Sequence, residues 1–542
     1  MKPTNTSSYN SRIEKIKIIL KTPWNVSPIK FISIATLANI LLYHLPLWSF
    51  LESLIELNSR GGLGILILLT CIQVLMSFLV FVCAYIITPL IIKPLLIIFA
   101  ILNSFALYFT VTYNVILDRS MIGNILNTNA SEALDFFGPK LWGYVLFFGL
   151  IPSVILWRTR ITKAKRIILL GQATPIILAC IAYIYLSSSS WLWIDKHAKV
   201  LGGMIMPWSY VINTVRYKSG EYQQTREQIL LPPAESTNNE KTIIILVIGE
   251  SARSKNFSLY GYKRNTNPHL SKTGILALRG STSCSTYTTA SLRCILAHQE
   301  PASFFATQHE PLPSYLQRHD VDVIWRTNNW GEPRLNIESY TKSTDLKPLC
   351  NNDLCEHDEI LLSGLEKRIR NSNKQKIFIV LHQTGSHGPS YYSKYPIKHE
   401  TFRPVCKTVD LKDCTAQDLL NAYDNTIVFT DYLLNRTINI LKSFSGVSTS
   451  LIYISDHGES LGEHGIYLHG TPLTVAPKEQ IEIPFLVWMS ERFMEAHKIS
   501  NEKILNRKNH SQSDIFHSVL SGFNMTSDVY LEEFDIFSQM ER

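Results

Sequence analysis

Charge is what this chain of 542 residues has least of: charged residues make up 18%, against about 25% in an ordinary soluble domain. The shortage lies in the first 190 residues, where apolar runs exceed what a water-soluble core needs, and it excludes a single soluble globule. No internal repeat or long low-complexity segment occurs, which excludes solenoid and collagen-like architectures. No cleavable signal is expected, since the first apolar run is long, lacks a small-residue cleavage site and is followed by further runs. The net charge of +8 does not call for nucleic acid, because much of it sits in short basic segments between apolar runs.

Five apolar spans are present, at about 31–51, 63–88, 95–117, 141–157 and 167–187, each near the length that crosses a bilayer core. The stretch 63–117 is too long for one span and is expected to break at Pro89 and Lys93-Pro94. Lys2, Arg12, Lys15, Lys17, Lys21 and Lys30 precede the first span, Lys93 lies between the second and third, and Arg158, Arg160, Lys163, Lys165 and Arg166 lie between the fourth and fifth. The positive-inside rule puts these segments in the cytoplasm, and an odd number of crossings sends everything after about residue 190 to the other side. Cys71, Cys83 and Cys180 fall inside spans, whereas Cys284 and Cys294, Cys350 and Cys355, and Cys406 and Cys414 pair by proximity, as disulfides in an oxidising compartment do.

The expected organisation is a five-span membrane domain at 1–190 with an amphipathic helix near 119–137, a bridging helix and polar linker at 191–240, and an α/β domain at 241–542. Asn124, Thr128 and Glu132 recur every four residues on one face of that amphipathic helix. Such a row is either a plain solvated face or a grip on a lipid headgroup at the membrane surface.

Several apolar runs of the last domain end in polar clusters: "KTIIILVIGES" runs into Glu250, "VDVIWRTNN" into Asn328-Asn329, "KIFIVLHQTGSHGP" into His382 and His387, and "LIYISDHGES" into Asp456-His457. Such runs read as strands buried on both faces of a mostly parallel sheet, and in α/β folds chemistry gathers at the carboxyl edge. Asp-His-Gly alone also suits a turn with a helix cap. Together, Glu250, Asp456 and His457 supply three ligands for a catalytic zinc with one position open. Thr288, in "STSCSTYTTASLRC", offers a nucleophilic hydroxyl just before a helix. Thr286, Thr289 and Ser291 serve equally well on sequence alone.

The segments "VIGESARSKNFSLYGYKRNTNPHL", "SCSTYTTASLRC", "GSHGP", "FRPVCKTVDLKDCTAQDLLNAYDNTIVFTDYLL" and "SDHGESLGEHGIYLHGTP" resemble the lipid A phosphoethanolamine transferases, which include the mobile colistin-resistance enzymes. "DRSMIGNILNTNASEA" is similar to the family's lipid-donor helix, so the resemblance covers nearly the whole chain. It implies a five-span domain in a Gram-negative inner membrane carrying a periplasmic, alkaline-phosphatase-like, sulfatase-type α/β domain with a mostly parallel central sheet. It also implies transfer of phosphoethanolamine from phosphatidylethanolamine to a lipid A phosphate or another lipopolysaccharide site, through a phospho-threonine, with resistance to polymyxin as the outcome.

Carried over residue by residue, the resemblance makes Glu250, Asp456, His457 and the nucleophile Thr288 the site of one zinc ion, with room for a second. It gives His387 and His469 to a second metal or the phosphate, and Asn124, Thr128 and Glu132 to the donor; the three close cysteine pairs match family disulfides. Where relatives carry a glycine- and lysine-containing loop, this chain reads "TNNWGEPRLN", with Asn328 and Arg334 as the expected substrate contacts. A monomer is expected, with no nucleic-acid partner. The competing readings are a phosphoglycerol transferase of the lipoteichoic-acid-synthase type and a membrane-anchored sulfatase- or phosphatase-like hydrolase. A non-enzymatic sensor leaves four polar strand ends unexplained.

Overall fold

The computed structural model describes residues 24–538 except 58, 129–132, 134, 135, 225–227, 300–308, 351–354, 356, 409, 410 and 508. Backbone contacts divide the chain into two compact units, Met1–Val111 with Pro139–Ile212 and Thr112–Gly138 with Asn213–Arg542. Segment 112–138, which carries the predicted amphipathic helix, thus clusters with the C-terminal part of the chain.

The first unit is helical. Helices α1 (Pro28–Tyr43) and α2 (Leu45–Leu54) meet at a bend of 59°. The bend falls at His44, two residues before Pro46, whose ring removes a backbone donor and crowds the preceding turn. Next come α3 (Arg60–Ile87) and α4 (Pro89–Tyr113). The residue between them, Thr88, is extended at φ −158° and ψ 129°, as a residue before proline prefers. The break expected at Lys93-Pro94 does not occur, because Pro94 lies inside α4. The third span therefore begins at residue 89 rather than 95.

After α5 (Arg119–Asn127), which belongs to the other unit, come α6 (Pro139–Arg158), with a π-helical turn at Val145–Leu150, α7 (Arg166–Leu186) and α8 (Ser188–Met204). Helices α3, α4, α6 and α7 are long and apolar enough to cross a membrane, and the bent α1–α2 pair makes a fifth span when counted as one.

The second unit is built on a seven-stranded sheet. Its strands are β1 (Thr242–Gly249), β2 (Leu276–Leu278), β3 (Asp322–Thr327), β4 (Ser339–Lys342), β5 (Lys376–His382), β6 (Ser448–Ser455) and β7 (Phe485–Met489). Their order is β2-β7-β6-β1-β5-β3-β4. Every pairing from β6 to β4 is parallel, and only β7 runs against its neighbours. Strands β1, β5 and β6 are buried along their whole length, which explains why they read as unbroken apolar runs. Because β6, β1, β5 and β3 are adjacent and parallel, their C-terminal ends share one edge.

Helices α9 (Thr288–Leu296), α10 (Ala416–Lys442) and α11 (Asp514–Gly522) flank this sheet. The side chain of Thr415 starts α10 by accepting from the Asp418 amide at 3.0 Å, an N-cap that satisfies one orphan donor. All three expected cysteine pairs are bridged.

The Cys406–Cys414 bridge has a sequence separation of 8, and closing a loop of that size removes about 2–3 kcal/mol of unfolded-chain entropy. Replacing both with serine is expected to lower unfolding stability by that amount in the oxidised protein. Denaturant unfolding of both proteins, with and without reductant, checks this; an unchanged midpoint would refute a stabilising bridge.

Candidate active site

Register decides what the carboxyl edge holds. Gly249 of β1 pairs with Ser455 of β6, and the Asp456 amide donates to the Gly249 carbonyl at 3.0 Å. The next residues on the two strands, Glu250 and Asp456, are therefore side by side, with His457 following; all three are 0% exposed. His457 Nε2 lies 3.2 Å from Glu250 Oε1 and 3.2 Å from Asp456 Oδ2. Thr288, the first residue of α9, places Oγ1 3.1 Å from Glu250 Oε2, to which it donates, and 3.4 Å from His457 Nε2. Of the four hydroxyls left open by sequence, this one reaches the cluster. Thr286 Oγ1 donates instead to the Thr471 carbonyl at 2.7 Å, and Ser291 Oγ to the Ser285 carbonyl at 3.4 Å. Thr289 Oγ1 is buried without a partner.

The donor set fits a cation. The Nδ1 of His457 is 2.9 Å from the Gly458 carbonyl; donating there, it leaves the Nε2 lone pair facing two carboxylates. Asp456 Oδ2 is buried with no hydrogen bond. Burial opposes charging His457, but Asp456 and Glu250 outweigh it and raise its pKa to about 10. Burial, and then the nearby Glu250, push the Asp456 carboxyl well above its ordinary range. At Glu250 burial is outweighed by the facing His457, with His387 and His469 adding to it, and the carboxyl is held well below its ordinary range. The cluster thus retains a proton where a divalent ion would supply the same compensation. Ligand atoms of Glu250, Asp456 and His457 lie within 4.8 Å of one another, and so do those of Glu250, His387 and His469, and of His457, Glu459 and His469.

His387 and His469 stand next to the cluster, with ring centroids 5.1 Å apart and His469 4.2 Å from His457. Burial lowers the His469 pKa, and His457 adds to that effect. Gly385 leads to His387 at φ +52°, and a Cβ there would stand 2.8 Å from the Glu250 carbonyl oxygen, so both conformation and space require glycine.

Other expectations fare differently. Asn328 turns away and donates to Asp358 Oδ1 at 2.8 Å, while its neighbour Asn329 donates to Glu250 Oε2 at 2.8 Å. Arg334 is exposed, and among the described residues no hydrogen bond or ion pair ties its guanidinium to the cluster. Asn124 Nδ2 lies 3.3 Å from where a Cβ on Gly470 would stand, beside His469, and the Thr128 hydroxyl donates to the Asn124 carbonyl at 2.8 Å. Glu132 lies outside the described residues. Upstream of α5, the side-chain amide of Asn114 donates to the Gly465 carbonyl.

Sequence reasoning passed over Glu459 although it lies inside the quoted "SDHGES". It is fully buried, accepts from the Tyr391 hydroxyl at 2.6 Å and lies 2.7 Å from His469 Nδ1. Ser251 Oγ donates to Glu250 Oε1 at 2.7 Å.

This parallel sheet, with an acid, an acid-histidine pair and a helix-borne hydroxyl on its carboxyl edge, belongs to a sulfatase-family domain: residues 242–525 match the family model Sulfatase. Residues 75–222 match the family model Phosphoethanolamine transferase EptA/EptB. The chain is 38% identical to phosphoethanolamine transferase EptA of Helicobacter pylori, over 91% of this chain and 94% of that one. It is 30% identical to phosphatidylethanolamine transferase Mcr-1 of Escherichia coli, over 74% and 79%. Its fold aligns at a TM-score of 0.85 and 26% identity with the integral membrane protein lipooligosaccharide phosphoethanolamine transferase A (EptA) of Neisseria meningitidis, covering 95% of this chain and 99% of that one. The chain belongs to the EptA/EptB phosphoethanolamine transferase family and is a phosphoethanolamine transferase.

Two outcomes are expected from this geometry. Asp456→Ala and Glu250→Ala should each lower bound metal, read by elemental analysis of the purified protein; full metal content in both would refute the cluster as the metal centre. Glu459→Gln keeps the shape but weakens the hold on His469 Nδ1, so turnover should fall about 10- to 100-fold with the melting temperature unchanged. Equal turnover would show that the Glu459–His469 contact is incidental.

Proposed function

We propose that the chain takes phosphoethanolamine from phosphatidylethanolamine and passes it to a phosphate of lipid A, or to another lipopolysaccharide site, through a phospho-threonine at Thr288. The observation that carries this reading is Thr288 Oγ1 at the head of α9, within hydrogen-bonding distance of Glu250 and beside His457. The lipooligosaccharide acceptor in the name of the Neisseria meningitidis relative supports the choice of acceptor.

Thr288 Oγ1 gives up its proton along its hydrogen bond to Glu250 Oε2 and bonds to the donor phosphorus, and the phosphorus–oxygen bond to diacylglycerol breaks. The first-turn N–H groups of α9 favour negative charge at this point. His469, whose Nδ1 is engaged by Glu459, carries the proton given up by Thr288 to the departing alkoxide through Nε2. In the second half an acceptor phosphate oxygen attacks the same phosphorus and gives up its proton, and Thr288 Oγ1 leaves and takes that proton up. Glu250, Asp456, His457 and Thr288 would hold a zinc ion, which would supply Lewis-acid neutralisation of charge on the transferring group. The group Glu250, His387 and His469 admits a second ion.

Residues 1–190 serve as the membrane domain, 191–240 as the linker and 241–542 as the catalytic domain, with Asn124, Thr128 and Glu132 of the 119–137 segment holding the donor headgroup. The basic segments beside the apolar spans and the three disulfides support an inner-membrane location with the catalytic domain in the periplasm. One chain supplies every residue named, which supports a monomer.

Mass spectrometry after incubation with donor alone tests the mechanism. A phosphoethanolamine adduct should map to the peptide between Cys284 and Cys294, be absent in Thr288→Ala and survive at a reduced rate in Thr288→Ser, whose freer rotamer positions the oxygen less well. Turnover without an adduct under trapping conditions would overturn the covalent route. Wild type, but not Thr288→Ala, should raise polymyxin resistance of a susceptible Gram-negative host. Asn124→Ala should raise the donor concentration needed for half-maximal rate at unchanged metal content, measured by a donor titration in mixed micelles.

A further inference from the structure

His469 stands between two residues in the left-handed backbone conformation, Leu468 at φ +65° and Gly470 at φ +86°. Glycine takes that conformation freely, whereas the Cβ of a leucine crowds the following carbonyl oxygen. Strain of this kind persists only where surrounding contacts over-determine it. Leu468 is buried, and a Cβ placed on Gly388, the residue after His387, would stand 2.6 Å from its Cδ2. The Leu468 side chain thus packs beside one histidine of the site while its backbone leads directly into the other.

The contacts that hold this conformation come from Gln480, which is 0% exposed and is not among the metal-cluster residues. Its side-chain nitrogen lies 3.0 Å from the Leu468 carbonyl oxygen, 3.0 Å from the Ser460 hydroxyl and 3.1 Å from the Thr471 hydroxyl. Its side-chain oxygen accepts from the Thr471 amide at 3.1 Å. One side-chain amide therefore grips the chain on both sides of His469, and this uses both of its N–H groups and its carbonyl. The main-chain carbonyl of Gln480 accepts from the Gly458 amide at 3.0 Å, directly after His457, where the Glu479 carbonyl leaves no room for a Cβ. Gln480 is thus tied through its backbone to the metal cluster and through its side chain to the loop bearing His469.

We infer that Gln480 is the positioning residue of His469: it holds Leu468 in its left-handed conformation and so sets where His469 Nε2 stands relative to Thr288. Glu459 fixes the rotation of the ring through Nδ1, and Gln480 fixes the backbone that carries it. The inference rests on the role given above to His469, which carries a proton to the departing alkoxide.

The full-length protein in mixed micelles, assayed with two donors, tests this. Phosphatidylethanolamine releases a diacylglycerol alkoxide that needs a proton, whereas p-nitrophenyl phosphoethanolamine releases a phenolate that leaves without one. Gln480→Met keeps the length of the side chain and removes its hydrogen bonds. It should slow single-turnover consumption of phosphatidylethanolamine about 10- to 100-fold while p-nitrophenolate release stays near the wild-type rate, the pattern also expected of His469→Ala. The double variant should be no slower than His469→Ala alone, because one ring accounts for both losses. Should Gln480→Met fail to fold, Gln480→Glu keeps the acceptor for the Thr471 amide, lacks the donor for Leu468, and should show the same pattern. Wild-type rates with both donors, slowing of both donors where His469→Ala spares the nitrophenyl one, or losses that multiply in the double variant would overturn the positioning role. If His469→Ala itself slows both donors equally, the proton-carrying step falls, and the double variant alone then judges Gln480: multiplied losses overturn its role and unmultiplied losses uphold it.

Discussion

Two carboxylates with no access to water stand side by side at the ends of adjacent parallel strands, and the remainder of the catalytic unit is arranged around that fact. Glu250 and Asp456 are held together by the β1–β6 register, which is itself part of the central sheet. Removing two negative charges from water without compensation costs more than a fold of this size has to spare. A cation must therefore share the space. Without a metal the compensation is a proton on His457, whose pKa is raised to about 10 once the neighbouring acids overcome burial. The same concentration of buried negative charge is what suits the cluster to a divalent ion.

Around this centre the protein fixes each donor by a second contact. Asn329 and Ser251 hold the two oxygens of Glu250, the Ser251 amide donates to Asp456 Oδ1 at 3.0 Å, and the Gly458 carbonyl fixes the tautomer of His457. Tyr391 and Glu459 do the same for His469. These groups sit at strand and helix ends on a sheet whose central strands are buried along their whole length, where little backbone freedom remains. Rigid placement of this kind allows a hydroxyl such as that of Thr288, a weak nucleophile in water, to act on a phosphodiester.

How much of this was legible depended on the range of the interaction that decides each feature. Hydrophobic runs are local, so the buried strands and the apolar spans could be read directly, and the ordered motifs carried the family. The end of a span was harder: Pro89 breaks the helix while Pro94 is absorbed into α4. Sequence alone does not tell Asn328 from Asn329, since neighbouring residues at a strand end point in opposite directions. Asp358, far away in sequence, claims Asn328. Arg334 was assigned by analogy with a lysine of the relatives, and the altered loop leaves it exposed. Glu459 was missed because an acid in a polar loop has no signature until its burial is known.

The sequence by itself determined the division between an apolar, membrane-crossing part and an α/β part, the buried strands and the residues from which the metal cluster is drawn, because these follow from local composition, periodicity and motif order. Only the tertiary structure decided which of four hydroxyls reaches that cluster, which asparagine supports it, and that segment 112–138 packs with the catalytic unit and places Asn124 beside the loop bearing His469. Each of those outcomes depends on strand register and on contacts between residues tens to hundreds of positions apart, and no local pattern encodes such distances.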